Sequence, residues 1–185
     1  MKILLVGSKN GEYKLPLVFE TIISHLKSLN VEILGPHTQD YNEVLNKTEI
    51  KKNGKEEIHS IFMRKLINQA DLMVVETTFD GFALGHEATI ALEKYIPVLA
   101  LSRDKKDFSC VNNKRFFYKR YHTPTEIPPI LDLFIEEYKK KYRTIRINVL
   151  IHQRHLNFLN EISKKQNKNK SAIIREVLDS LIKSD

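Results

Sequence analysis

Glu87 stands where a side chain could do covalent chemistry. It closes a Gly85-His86-Glu87 triplet that follows an apolar run, Leu72–Thr77 (LMVVET), and a glycine-containing loop, Thr78–Ala83. Apolar residues then recur at helical spacing at Leu84, Ala88, Ala91, Leu92 and Tyr95, and Pro97 separates that helix from a second apolar run, Val98–Leu101. Strand, loop, helix and strand form the repeating unit of a parallel sheet, where ligands sit at the loops beyond the strands' C-terminal ends. A carboxylate delivered there, in a helix's first turn, is a candidate nucleophile. The helix dipole would keep it ionised. Glu76, late in the first strand, and Asp80, in the loop, are further carboxylates, and His59 and His86 are candidate proton donors.

These residues need a scaffold, and the rest of the chain supplies its elements. Lys2–Val6 reads as a buried first strand. It ends in Gly7-Ser8-Lys9-Asn10-Gly11, a turn whose backbone N–H groups could hold a sugar or phosphate group. The turn is not a GxGxxG fingerprint, so no dinucleotide cofactor is expected. A helix over Leu15–Leu29 carries Pro16 in its first turn and a stripe of Phe19, Ile22, Ile23, Leu26 and Leu29. Val31–Leu34 is a second strand, and Gly35–Asn53 reads as an irregular segment of the kind that forms lids. Lys55–Gln69 is a helix with Ile58, Ile61, Phe62, Leu66 and Ile67 inward. Ser102–Asn113 reads as loop, Arg115–Tyr121 as a fifth strand, Thr125 as a cap and Ile130–Lys141 as a closing helix. The expected fold is α/β: a doubly wound, Rossmann-like parallel sheet of about five strands spanning residues 1–140.

Charge and composition divide the chain. Of a net charge of +7 over 185 residues, +6 belongs to residues 141–185, where ten Lys/Arg face four Asp/Glu. A near-neutral domain followed by a basic module suggests a segment that meets a polyanion. No apolar run is long enough to span a bilayer, and the opening MKILLVG is too short for a signal peptide. The lone cysteine, Cys110, excludes an intrachain disulfide, offers no zinc-ligand spacing and fits a cytoplasmic location.

The basic module has its own pattern. Thr144–Leu150 alternates, with Ile145, Ile147 and Val149 on one side and Thr144, Arg146 and Asn148 on the other. Two short helices follow: Gln153–Gln166 with Leu156, Leu159 and Ile162 apolar, and Ser171–Ile182 with Ile173, Ile174, Val177, Leu178, Leu181 and Ile182 apolar. One strand and two helices cannot bury that much apolar surface alone, whereas two copies can.

Two resemblances add to this reading. Ala70-Asp71, Val74-Val75-Glu76 and Gly85-His86-Glu87 resemble the core pattern of the nucleoside 2-deoxyribosyltransferase family, which includes the 2′-deoxynucleoside 5′-phosphate N-hydrolases. The resemblance implies a nucleoside or nucleotide ligand and a Glu87 that attacks the anomeric carbon. It also implies sugar or phosphate contacts at Gly7, Ser8, Asn10 and Gly11, with Gly85, His86 and His59 lining the same site. Leu4 stands where that family often has Tyr, and Phe62 and Met63 stand where it has Asp. Residues 143–185, with the run Asn169-Lys170-Ser171-Ala172-Ile173-Ile174-Arg175, resemble the ribbon-helix-helix DNA-binding dimers. That resemblance implies that Thr144, Arg146 and Asn148 read bases, with Arg on guanine and Asn on adenine. It also implies a homodimer or higher homo-oligomer. Neither resemblance calls for a metal or another cofactor.

Overall fold

The computed structural model describes residues 1–36, 38–52, 54–79, 81–141, 149–166 and 170–182. It divides into two units, Met1–Arg143 and Thr144–Asp185.

The first unit is built on five strands: β1 (Lys2–Gly7), β2 (Glu32–Leu34), β3 (Leu72–Glu76), β4 (Val98–Ser102) and β5 (Phe116–Arg120). All pair in parallel, in the order β2-β1-β3-β4-β5. Burial on both faces explains why β1, β3 and β4 read as unbroken apolar runs rather than alternating ones. Ile3, Leu5, Leu72, Val74, Leu99 and Leu101 fill one face. Against them pack α2 (Pro16–Ser28), through Phe19, Ile22 and Leu26, and α7 (Ile127–Lys141), through Leu131, Phe134 and Ile135. Leu4, Val6, Met73, Val75 and Val98 fill the other face. There they meet Phe62, Leu66 and Ile67 of α5 (Lys55–Gln69) and Leu84 and Ala91 of α6 (Phe82–Glu93).

Three local departures from the sequence reading have physical causes. The Gly-Ser turn is the N-cap of a six-residue helix, α1 (Lys9–Lys14), and the Ser8 side chain accepts from the Gly11 N–H at 2.9 Å. The segment expected to be irregular holds α3 (Tyr41–Val44) and α4 (Lys47–Lys52). A capping box opens α3: Asp40 accepts from the Asn42 N–H at 2.9 Å, and Glu43 reaches back to the Asp40 N–H at 3.1 Å. The closing helix starts three residues early, after a 3₁₀ turn over Pro124–Glu126 whose N-cap is Thr123 rather than Thr125.

Gly35 lets β2 pass into that segment. It sits at φ 145°, and a Cβ there would lie 2.4 Å from the Leu5 carbonyl oxygen. The backbone is both strained for an L-residue and blocked by backbone that cannot swing aside. Gly35→Ala is expected to cost about 3 kcal/mol of stability, read by urea unfolding. An unchanged midpoint would show that the turn reforms without glycine.

The second unit contains α8 (Gln153–Gln166) and α9 (Lys170–Ile182), within a residue of the expected bounds. Ile173 is buried, whereas Ile174, Val177, Leu178 and Leu181 are 45%, 53%, 48% and 58% exposed. Thr144, Arg146 and Asn148, the expected base-reading residues, lie outside the described residues. At the described end of that segment, Val149 and Leu150 are exposed and in no regular element.

Candidate active site

In the order β2-β1-β3-β4-β5 the connections switch sides at β1 and β3, and the crevice beyond those two strands is where such sheets take ligands. Gly7 and Glu76 are register partners at its floor. A Cβ at Gly7 would lie 2.4 Å from the Phe19 ring, so α2 can pack this close only over glycine. Asp71, of the Ala-Asp pair, accepts from the Lys2 N–H at 2.8 Å and so ties the start of β3 to the start of β1.

Glu87 is 8% exposed and lies on α6. The helix opens at Gly81, which caps it with an extended backbone (φ −160°) and no side-chain bond, so Glu87 falls in the second turn rather than the first. That corrects the electrostatic expectation. The dipole acts mainly within the first turn, and burial instead pushes the Glu87 carboxyl up to about 7.

Its facing group is His59 of α5, with Nε2 3.7 Å from the Glu87 Oε1. The other ring nitrogen, Nδ1, lies 2.8 Å from the Tyr41 hydroxyl. A Tyr41 hydroxyl oxygen that accepts from Nδ1–H leaves Nε2 as the ring nitrogen that gains and loses a proton, facing the carboxylate. Tyr41 also packs on Phe62, with ring centroids 4.5 Å apart. Tyr41, His59 and Glu87 therefore form one line across α3, α5 and α6. His59 lies 18 positions beyond Tyr41, and only the fold joins them.

The other candidates are distributed differently. His86 is exposed, its ring stacked near Phe82 with centroids 6.4 Å apart and 4° between planes. Gly85 is exposed and lines an apolar cavity of about 430 Å³ with Gly81, Phe82, Phe108 and Phe116. Gly11 is buried and its N–H is already taken by Ser8, which removes one donor from the expected cradle. The Asn10 side chain and Asp80 lie outside the described residues. Leu4, Phe62 and Met63 are buried in the apolar core.

Glu76 belongs to a second polar cluster, fully buried on the α2 side of the sheet. Its Oε1 accepts from the Thr78 hydroxyl, from the Thr78 N–H at 3.1 Å and from the Tyr121 hydroxyl at 3.0 Å. Among the described residues its Oε2 has no hydrogen-bond partner. Burial raises the Glu76 carboxyl above its usual range, against the opposing pull of the Thr78 and Tyr121 hydrogen bonds. Burial also raises the Tyr121 hydroxyl. Sequence reasoning missed Tyr41, Thr78 and Tyr121. Only Tyr41 left a signal, in the Asp40…Glu43 spacing that marks a helix start beside it.

Among the described residues no cluster of three His, Cys, Asp or Glu could hold a metal, and no helix is long and apolar enough to cross a membrane.

The parallel sheet and its flanking helices define a Rossmann-like α/β fold. That fold is shared with a CMP N-glycosidase of Clostridium botulinum: TM-score 0.53, 12% identity, covering 72% of this chain and 99% of the other. A 2-deoxyribosyltransferase of Bacillus psychrosaccharolyticus aligns at TM-score 0.49 and 15% identity, over 69% of this chain and 90% of the other. In sequence, the chain is 33% identical over 100 residues to a protein of Methanosarcina barkeri assigned by name to the 2′-deoxynucleoside 5′-phosphate N-hydrolases. That match takes in 54% of this chain and spans 60% of the relative's length. No family model matches the chain.

Proposed function

We propose that residues 1–140 cleave the N-glycosidic bond of a deoxynucleoside or its 5′-monophosphate through Glu87, and that residues 143–185 tether this activity to DNA as a ribbon-helix-helix dimer. The observation that carries the first half is the buried Glu87 carboxylate held against His59 at 3.7 Å. The sequence match to a named N-hydrolase supports the same chemistry.

Ionised Glu87 attacks the anomeric carbon as the bond to the base breaks, giving a glycosyl ester. His59 starts protonated on both ring nitrogens, with Nδ1–H donating to the Tyr41 hydroxyl oxygen; its Nε2 proton goes to the departing base and the ring becomes neutral. In the second half, neutral His59 takes a proton from water, and the hydroxide displaces Glu87 and frees the sugar. A second base in place of water would give a transferase. Tyr41, accepting from Nδ1–H throughout, orients the ring so that Nε2 is the nitrogen that gives and takes the proton. The central test is release of free base from a panel of nucleosides and 5′-monophosphates, ribo and deoxy, with and without an acceptor base. Release from at least one deoxy substrate is expected, and none from any of them would overturn the catalytic reading.

The DNA-binding half rests on the charge of the segment and on the exposed row Ile174, Val177, Leu178 and Leu181 in a single copy. Burying that row against a second copy gives the unit a core. Affinity for DNA should fall steeply with salt, and Arg146→Ala should remove sequence preference while leaving a weaker, salt-sensitive binding. Unaltered preference in that variant would sink the assignment of Arg146 to base reading.

A second reading has its own support. Leu4, Phe62 and Met63 bury carbon where the resembling family has Tyr and Asp. The apolar cavity beside Gly85 could also take a base without touching Glu87 or His59. On this reading the α/β domain senses a nucleotide and the protein is a transcriptional regulator. It becomes the leading reading if the panel shows no release.

A further inference from the structure

We propose that the loops following β3, β4 and β5 form a binding site for a phosphate monoester, on the α2 and α7 side of the sheet and separate from Glu87. A cavity of about 400 Å³ opens there, lined by Arg103, Arg120, His122, Thr78, Phe79 and Asp104. Neither Arg103 nor Arg120 is ion-paired among the described residues.

The loops are fixed in place. The Arg120 Nε donates to the Arg103 carbonyl at 3.0 Å, and among the described residues that guanidinium's terminal nitrogens carry no ion pair. The Arg103 N–H donates to the Thr78 hydroxyl oxygen at 3.0 Å, and Thr78 in turn is held by buried Glu76. The Tyr118 hydroxyl donates to the Asp104 carbonyl at 3.0 Å, and the Ser102 hydroxyl accepts from the Asp104 N–H at 3.2 Å. A site ordered before binding loses less entropy when the anion arrives. Lys14 adds a charge at the rim, its Nζ 5.0 Å from the Phe79 ring centroid. Asp104 is the acidic lining residue, and Glu126 accepts from the His122 N–H nearby at 3.2 Å. Cations outnumber these carboxylates, and paired guanidinium groups match the geometry of a phosphate.

One observation favours an organic monoester over the bare ion: Phe79 gives the cavity an aromatic wall.

The test is thermal unfolding of the full chain in inorganic phosphate or ribose 5-phosphate, against sodium chloride at matched ionic strength. Ribose 5-phosphate at ten times its Kd should raise Tm by about 4 °C over the salt control. Inorganic phosphate at the same concentration should raise it less. The shift should vanish in the Arg103→Gln/Arg120→Gln double variant, which changes two exposed side chains, and persist in Glu87→Gln. No shift beyond sodium chloride, or a shift that survives the double variant, overturns the site. Equal shifts from the two ligands overturn the monoester assignment. Because Glu87→Gln keeps this binding and loses base release, the two proposals fail separately.

Discussion

Glu87→Gln is expected to lower the rate of base release at least about 10³-fold in kcat while leaving the fold intact. The amide matches the carboxylate in shape but cannot form the ester. The pH dependence of the native protein carries independent information. Attack needs ionised Glu87, and burial places its carboxyl at about 7. Activity limited by Glu87 should therefore rise as pH climbs through about 7. A rate already at its plateau at pH 5 would mean that the attacking carboxylate titrates in the ordinary range, against a raised Glu87 as the nucleophile.

The same substitution should stabilise the protein at alkaline pH. Glu87 titrates near 4.5 when unfolded and near 7 when folded. Below 4.5 it is neutral in both states and exacts no penalty. Between these values the unfolded chain releases the proton and the folded chain keeps it, so stability falls as pH rises and the loss is complete above about 7. The size is roughly 3 kcal/mol at about 1.36 kcal/mol per unit. Glu87→Gln carries no such loss. Native and variant should unfold at similar urea concentrations at pH 4, and the variant should be the more stable at pH 8.5. Parallel stability curves across that range would show that His59 pairing offsets the cost of burying the charge. Such an outcome would place the Glu87 carboxyl near its ordinary value.

The sheet was legible because a strand buried on both faces must be continuous and apolar, as β1, β3 and β4 are. The helices with one apolar stripe were legible too, including α8 and α9. The short polar helices were not. The α1 sequence, Lys-Asn-Gly-Glu-Tyr-Lys, has no stripe, and its helix rests on the Ser8 cap. For α3, Asp40 and Glu43 did carry the capping signature, but within a run of polar residues it read as loop.

At the site, Glu87 and His59 could be singled out as residue types, but not their distance, since it depends on how α5 and α6 cross. The electrostatics of Glu87 turned on where α6 begins. An extended Gly81 starts it at Phe82, two residues before the first residue of the apolar repeat, and this moves Glu87 out of the dipole's reach. Tyr41 was hidden for a different reason: its partner is a tertiary neighbour, and nothing local marks the pair. The Arg103 and Arg120 pocket likewise arises from two loops that meet only because β4 and β5 are adjacent in the sheet.

The most direct measurement is to catch the ester. The native protein is mixed with a deoxynucleoside 5′-monophosphate that it cleaves, quenched in acid within the first turnover, and weighed intact and after digestion. The account predicts a transient gain of one deoxyribosyl phosphate, confined to the peptide that carries Glu87 and absent in Glu87→Gln. Base release with no adduct, or with the adduct on another carboxylate such as Glu76, would contradict it.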